Sequence, residues 1–185
     1  MAPARTRFLQ RLLPIANAAA GGAVRALLAL VRAFNRVWIS NFFGAFTRTV
    51  GPHLREQRIG RANLKAAFPE KSDAEIETIL RGVWDNLGRV AAELAQVDRI
   101  VEGDPAHRKY IEYAPGTAER FKALRDDGKP ALIFAAHTGN WELPAVLAAA
   151  DGLDTLVLYR RPNLDAVADA VLNIRSGHML SLIHI

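Results

Sequence analysis

The clearest hydrophobic pattern in this 185-residue chain follows a helix start at Ser72. Ser72 and Glu75 have the spacing of a capping box, in which each side chain binds the backbone amide of the other residue. Apolar residues then recur every three to four positions from Ile76 to Val97. This period predicts an amphipathic helix of about six turns. The preceding stretch, LREQRIGRANLKAAF, carries a sparser apolar side and predicts a second helix.

The pattern changes after Gly128. KPALIFAAH is a short apolar run that follows a proline and predicts a buried strand, and DTLVLYR predicts a second strand. A helical pattern follows each strand, the first capped by Asn140 and ending at Gly152, the second capped by Asn163 and ending at Gly177. Strand–helix–strand–helix is typical of a parallel α/β sheet, which normally has more than two strands. The sequence therefore predicts the opening of an incomplete α/β sheet domain.

Basic charge is concentrated near the N-terminus. Residues 1–65 contain eleven Arg or Lys residues and one acid, Glu56, whereas residues 66–185 contain thirteen basic and eighteen acidic residues. The basic block is interleaved with apolar stretches and shows no nucleic-acid-binding motif. We therefore expect an anionic membrane surface as its partner, and no nucleic acid. The chain contains no cysteine, which excludes a disulfide framework and thiolate chemistry.

Residues 12–31, LLPIANAAAGGAVRALLALV, are the first candidate for membrane contact. Their longest charge-free run is thirteen residues, Leu12–Val24, and Arg25 interrupts the segment. A helix that crosses a bilayer needs about 20 apolar residues. We interpret residues 1–50 as a basic hydrophobic segment of membrane-associated helices that lie at the interface. A true span with Arg25 reaching the headgroups and a buried soluble helix are the alternatives. VWISNFFGAF, with one Trp and three Phe, suits an interface or a core.

His137 ends the first predicted strand, and Glu142 follows it by five residues. In open α/β sheets, sites collect at the carboxyl ends of strands. A carboxylate one helical turn away can accept one imidazole N–H and fix the tautomer, so that the other ring nitrogen can take a proton from a hydroxyl. The motif holds no Ser or Cys nucleophile, so we expect direct activation of a substrate hydroxyl. The alternative is a surface or packing pair, because the bare spacing is a weak signal.

The other candidate site residues are basic or amide side chains. Arg160 and Arg161 follow the second predicted strand, at the same sheet edge as His137, where guanidinium groups can clamp a phosphate or an anionic carrier. A solvated arginine pair is the alternative. Arg175 is a weaker basic candidate, and Asn140 is a candidate for substrate binding. We expect no metal, because the remaining histidines have no zinc-ligand spacing: His53, His107, His178 and His184.

Four segments, taken together and in this order, resemble the late acyltransferases of lipid A biosynthesis, the lauroyl/myristoyl transferase family: RIGRANLKAAFPEKSDAEIETILRGVWDNLGRVAAEL, HTGNWE, YRRPN and LNIRSGHM. The resemblance implies a Gram-negative inner-membrane protein that faces the cytoplasm and has a glycerolipid-acyltransferase-like α/β sheet. It also implies transfer of an acyl chain from acyl-acyl carrier protein to a hydroxyl of a lipid A precursor, without a cofactor. The family's H-x4-(D/E) motif falls on His137 and Glu142, and its basic position falls on Arg160 or Arg161.

The resemblance also implies further strands beyond the end of this sequence, GHMLSLIHI. We expect residues 51–179 to form the N-terminal part of the acyltransferase domain and residues 180–185 to be a non-native tail. On this interpretation the chain is a C-terminally truncated fragment with little activity. Two alternatives stay open: a glycerophospholipid acyltransferase that shares the His–acid chemistry, and a non-catalytic membrane-surface module in which His137 and Glu142 are a structural pair.

Overall fold

The structure, a computed structural model, describes residues 4–102, 108–159, 165–176 and 181–184. These residues form eight α-helices and two β-strands, in the order α1 (Ala4–Ala33), α2 (Arg36–Val50), α3 (Arg55–Ala67), α4 (Asp73–Leu94), α5 (Val97–Val101), α6 (Thr117–Asp126), α7 (Leu143–Ala150), β1 (Leu156–Tyr159), α8 (Asp165–Ser176) and β2 (Ser181–His184). A 3₁₀ turn, Gly51–His53, joins α2 to the loop before α3.

The chain divides into two compact units. The first, here called the mixed unit, consists of the described residues of 1–33, 97–134 and 142–185. The second, here called the helical unit, consists of Phe34–Gln96 and Ala135–Trp141. The division falls inside the HTGNWE motif, because Trp141 belongs to the helical unit and Glu142 to the mixed unit.

The predicted α/β sheet domain is wrong. The described residues are predominantly helical, and their strands are limited to the four-residue segments β1 and β2. These two pair in parallel, with Leu156 opposite Ser181 and Tyr159 opposite His184. The second predicted strand is confirmed as β1, whereas the first, KPALIFAAH, forms neither helix nor strand.

The missing strand has a physical explanation. The side chains of Leu132 and Phe134 are 87% and 91% exposed. An apolar run becomes an interior strand only when neighbouring strands bind its backbone groups and other elements cover both of its faces. Among the described residues the one strand pair joins β1 to β2, and no strand pairs with residues 131–136. A hydrophobic pattern reports the composition of a segment but not the presence of these partners.

The helical unit is built around α4, whose predicted start is confirmed. Ser72 accepts a hydrogen bond from the backbone amide of Glu75, and the Glu75 carboxylate accepts one from the backbone amide of Ser72, which completes the capping box. The apolar side of α4 places Ile76, Leu80 and Trp84 in the core. The predicted helix before it is α3, although α3 buries little of its apolar side.

Helices α2 and α4 approach closely because glycines stand at their contact. A Cβ built on Gly88 of α4 would lie 2.6 Å from the carbonyl carbon of Phe43, and one on Gly44 of α2 would lie 3.1 Å from the side chain of Arg89. The Thr47 hydroxyl of α2 donates a hydrogen bond of 2.6 Å to the Trp84 carbonyl oxygen of α4. A side chain at Gly88 would meet the backbone of α2 and force the two helices apart.

The core of the mixed unit joins α5, α7, β1 and α8. Val97, Val101 and Val146 are buried together, and partly buried apolar side chains surround them: Ile111, Leu143, Ala145, Leu147, Val157 and Ile174. The Arg108 guanidinium donates two hydrogen bonds, of 2.6 and 3.0 Å, to the Asp151 carboxylate. This ion pair fixes the chain before α6 to the end of α7.

Helix α1 extends over 30 residues and lies against α8 within the mixed unit. Near its end, the Arg32 guanidinium donates two hydrogen bonds, of 2.8 and 2.7 Å, to the Asp98 carboxylate of α5. Among the described residues, no helix has a stretch that is both long and apolar enough to cross a membrane. The interfacial arrangement of residues 1–50 stays a prediction.

Candidate active site

His137 lies in the helical unit, in the loop Ala135–Trp141. Its side chain is exposed, and its ring centroid lies 5.2 Å from the ring centroid of Trp141. Two residues further along, Gly139 has a φ of 56°, a left-handed conformation that glycine adopts without steric cost. His137 is therefore presented by a turn that glycine permits, and not by the end of a strand as the sequence predicted.

Helix α4 holds this loop at two consecutive residues. The Asn86 side-chain amide donates a hydrogen bond of 2.9 Å to the carbonyl oxygen of Gly139. The Asn140 side-chain amide donates one of 2.7 Å to Oε2 of Glu93. The other carboxylate oxygen of Glu93 accepts a hydrogen bond of 3.1 Å from the Ser40 hydroxyl of α2. The loop is thus tied to both of the helices that pack closely in this unit.

The predicted role of Asn140 as a helix cap is wrong. The following helix, α7, begins at Leu143, and Glu142 occupies its N-cap position without a side-chain capping bond. Pro144 stands in the first turn, where its missing N–H leaves no helical bond unmade. Pro144 therefore marks the start of the helix, and the Asn140 side chain donates its hydrogen bond to Glu93 of α4 instead. Whether Asn140 also binds substrate stays a prediction.

Glu142 is buried in the mixed unit and forms a bidentate ion pair with Arg175 of α8. Arg175 Nη2 lies 2.5 Å from Glu142 Oε1, and Arg175 Nε lies 3.0 Å from Oε2. The Glu142 side chain is 7% exposed and the Arg175 side chain is 15% exposed. The Arg175 guanidinium also lies over the Tyr159 ring, 5.4 Å from its centroid. Bidentate pairs of this kind fix the orientation of the carboxylate.

The structure thus brings Glu142 and Arg175 together and leaves the other predicted site contacts untested. His137 and Glu142 belong to different units, so their predicted contact stays a prediction. Arg160 and Arg161 lie outside the described residues. No group of three or more potential metal-ligating side chains occurs among the residues that the structure describes.

Three residues at the site carried little or no sequence signal. Arg175 was the weakest basic candidate, Asn86 had the signature of an ordinary helix residue, and Glu93 stood out in no motif. Asn86 and Glu93 are seven residues apart, which is two helical turns, so both side chains lie on one face of α4. The sequence signal that could have indicated these two residues was a pair of polar side chains two turns apart, beside the buried positions of a predicted helix.

The sequence also matches a protein family. Residues 7–184 match the bacterial lipid A biosynthesis acyltransferases, so the match includes His137, Glu142 and Arg175. The chain belongs to this family. Searches of curated proteins and of solved structures found no match.

Membership in the lipid A acyltransferase family confirms the resemblance that the four sequence segments predicted. It gives the protein a function of the acyl-transfer type within lipid A biosynthesis. The matched range extends to residue 184 and so includes β2, which lies in the segment predicted to be a tail.

Proposed function

We propose that this chain transfers a fatty acyl group from acyl-acyl carrier protein to a hydroxyl of a lipid A precursor, with His137 as the general base and Glu142 as the residue that orients it. The family match over residues 7–184 is the observation that carries this proposal. The exposed His137 imidazole supports it, because a general base must reach the proton that it removes.

The proposed reaction needs no cofactor. His137 takes the proton of the acceptor hydroxyl while the hydroxyl oxygen attacks the carbonyl carbon of the acyl thioester. The new C–O ester bond forms, the C–S bond breaks, and the phosphopantetheine thiolate leaves. The imidazolium then returns the proton to the thiolate sulfur.

An anionic membrane surface is the second proposed partner, because the acceptor is a lipid. Its support is a row of aromatic side chains at every fourth position, here called the aromatic ladder: Phe34, Trp38, Phe42 and Phe46. Neighbouring rings in the ladder stack, with centroids 5.2, 5.7 and 6.4 Å apart. Each of the four side chains is 42% to 53% exposed. Of the two alternatives that the sequence left open for these aromatic residues, exposure favours an interface over a core.

The position of Phe42 and Phe46 on α2 agrees with this role. Phe42 and Phe46 each follow a buried residue of α2, Ser40 and Gly44, by two positions. Two positions correspond to about 200° around a helix, so Phe42 and Phe46 lie opposite the face that packs on α4. Residues 34–67 carry six basic side chains (Arg36, Arg48, Arg55, Arg58, Arg61 and Lys65) against the single acid Glu56. Aromatic and basic groups together suit an anionic bilayer, and we propose the cytoplasmic face of the bacterial inner membrane.

Acyl transfer is tested with acyl-acyl carrier protein and a lipid A precursor in mixed micelles. The assay uses this chain and, where the reading frame continues past codon 179, the extended protein. We expect His137→Ala to lower the rate by about 10²- to 10⁴-fold, the usual contribution of a general base. His53→Ala, which removes another exposed histidine of the helical unit, is the matched control and should leave the rate unchanged.

Two results would overturn the proposed function. One is the absence of transfer to the lipid A precursor by both proteins, and the other is an equal rate in His137→Ala and His53→Ala. A glycerol phosphate acceptor is included, because transfer to it alone would assign the chain to glycerophospholipid synthesis.

Membrane contact is tested separately by co-sedimentation with vesicles that contain phosphatidylglycerol. We expect Phe42→Ser with Phe46→Ser to weaken binding by at least about tenfold, since burying one Phe contributes roughly 1.5–3 kcal/mol. Val83→Ser removes an apolar side chain that is 51% exposed on α4 and should bind as the wild type does. Equal binding by all three proteins would remove the ladder from the proposal.

A further inference from the structure

We propose that Asn86 and Glu93 of α4 are positioning residues for His137. They hold its loop in place through the Gly139 carbonyl and the Asn140 side chain, respectively. The inference rests on the proposed function, in which His137 is the general base. It assigns a task to two residues that lie outside the H-x4-E motif.

The geometry of α4 matches the loop at two points. Asn86 and Glu93 lie on one face of the helix, two turns apart, which is about 10 Å along its axis. Their partners, the Gly139 carbonyl and the Asn140 side chain, are consecutive. One contact therefore fixes a backbone group, and the other fixes the side chain that follows it. Two attachment points also restrict the rotation of the loop, which a single hydrogen bond does not.

The loop depends on such contacts because it has no regular structure of its own. Residues 129–141 contain neither helix nor strand, and the side chains before His137 are exposed. A segment with few buried contacts opens easily. Gly139 adds backbone freedom, since glycine visits many conformations when nothing holds it. The two bonds from α4 restrict this turn, which begins two residues after the imidazole.

Glu93 is itself held by a second element. Its Oε1 accepts the hydrogen bond from Ser40 of α2, while its Oε2 accepts the bond from Asn140. The carboxylate therefore connects the loop to the closely packed pair of α2 and α4. Catalysis is sensitive to such support, because a displacement of about 1 Å can lower a rate by roughly 10²-fold.

The first test measures hydrogen–deuterium exchange of the peptide that covers residues 135–141. Asn86→Asp keeps the size of the side chain but removes the donor, and Glu93→Ala removes the acceptor. We expect both to speed exchange in this peptide by about tenfold, a change readily produced by local opening. Glu93→Gln keeps an oxygen that can accept from Asn140 and should restore the wild-type rate. Thr78→Ala, on the same helix and without a contact to the loop, is the control.

The second test asks whether the loop matters to His137. In Asn86→Asp and Glu93→Ala, the imidazole signals of His137 should shift in NMR spectra while those of His53 stay unchanged. In the transfer assay, kcat should fall by roughly ten- to a hundredfold at an almost unchanged KM, and Glu93→Gln should recover it. A purely structural role would lower the unfolding midpoint without this split between kcat and KM.

The possible failures are distinguishable. If His137→Ala abolishes transfer but loop exchange and kcat are unchanged in both Asn86→Asp and Glu93→Ala, the positioning inference is wrong and the proposed function stands. If His137→Ala leaves transfer intact, the proposed function fails, and the positioning role fails with it.

Discussion

The contact between α2 and α4 allows a prediction from two glycines on one helix. Gly82 and Gly88 both lie inside α4, but a Cβ at Gly82 would meet no atom within 4 Å. A Cβ at Gly88 would lie 2.6 Å from the carbonyl carbon of Phe43, and closer still to the Phe43 oxygen and the Thr47 hydroxyl. Such distances are below 3.0 Å, which real Cβ atoms essentially never show.

The expected magnitudes follow from two opposing effects. Replacing Gly with Ala in a helix interior lowers the free energy of the helix by about 1 kcal/mol, whichever glycine is changed. At Gly88 the new methyl group meets backbone of α2, which cannot move without displacing the whole helix, so overpacking costs about 3 kcal/mol. We expect Gly82→Ala to raise the free energy of unfolding by about 1 kcal/mol and Gly88→Ala to lower it by about 2 kcal/mol.

Urea unfolding followed by circular dichroism measures both variants. The propensity gain is common to the two, so their difference isolates the packing cost of about 3 kcal/mol. With a slope of about 2 kcal/mol per molar urea, the midpoints should differ by roughly 1.5 M. Equal midpoints would refute the close α2–α4 contact, as would a Gly88→Ala variant more stable than the wild type.

Three further perturbations address single contacts. Ser72→Ala removes the capping box of α4 and should lower the free energy of unfolding by about 1 kcal/mol, whereas Ser72→Asn should lower it less, as urea midpoints will show. Arg175→Ala breaks the bidentate ion pair of the buried Glu142 carboxylate and should cost about 3–5 kcal/mol in the same assay. The hydrogen bond from Arg32 holds the pKa of Asp98 below its usual value. That stabilisation is present above the unfolded pKa, near 4, and is lost as pH falls through the lower folded value, so Asp98→Asn should flatten the acid side of a stability–pH curve.

Local signals were sufficient for the elements that need only local interactions. The capping box at Ser72 and the apolar period after it predicted the start and the buried side of α4, because both depend on residues within a turn or two of one another. β1 was also predicted correctly as a strand. The segment KPALIFAAH had the same kind of apolar composition and failed, since a strand depends on partners that are remote in sequence.

The candidate site was likewise predictable only where its features are local in sequence. Spacing along the chain drew attention to His137 and Glu142, but it could not show which groups hold them. Glu142 is held by Arg175, 33 residues further along the chain, and the His137 loop is held by Asn86 and Glu93, more than 40 residues earlier. Which residues become partners depends on which helix faces meet in the fold. No local periodicity of the sequence indicates these meetings.

The ion pair of Glu142 and Arg175 also changes how the motif should be understood. A carboxylate placed only to orient an imidazole would need no further partner, and an exposed one would keep its charge through solvation. Glu142 is instead 7% exposed, and a buried carboxylate needs hydrogen-bond donors that compensate for the lost water. Arg175 supplies that compensation in a bidentate geometry that Lys cannot reproduce. Arg175→Lys should therefore preserve the net charge and still lower acyl transfer, whereas transfer at the wild-type rate would show that the orientation of Glu142 is unimportant.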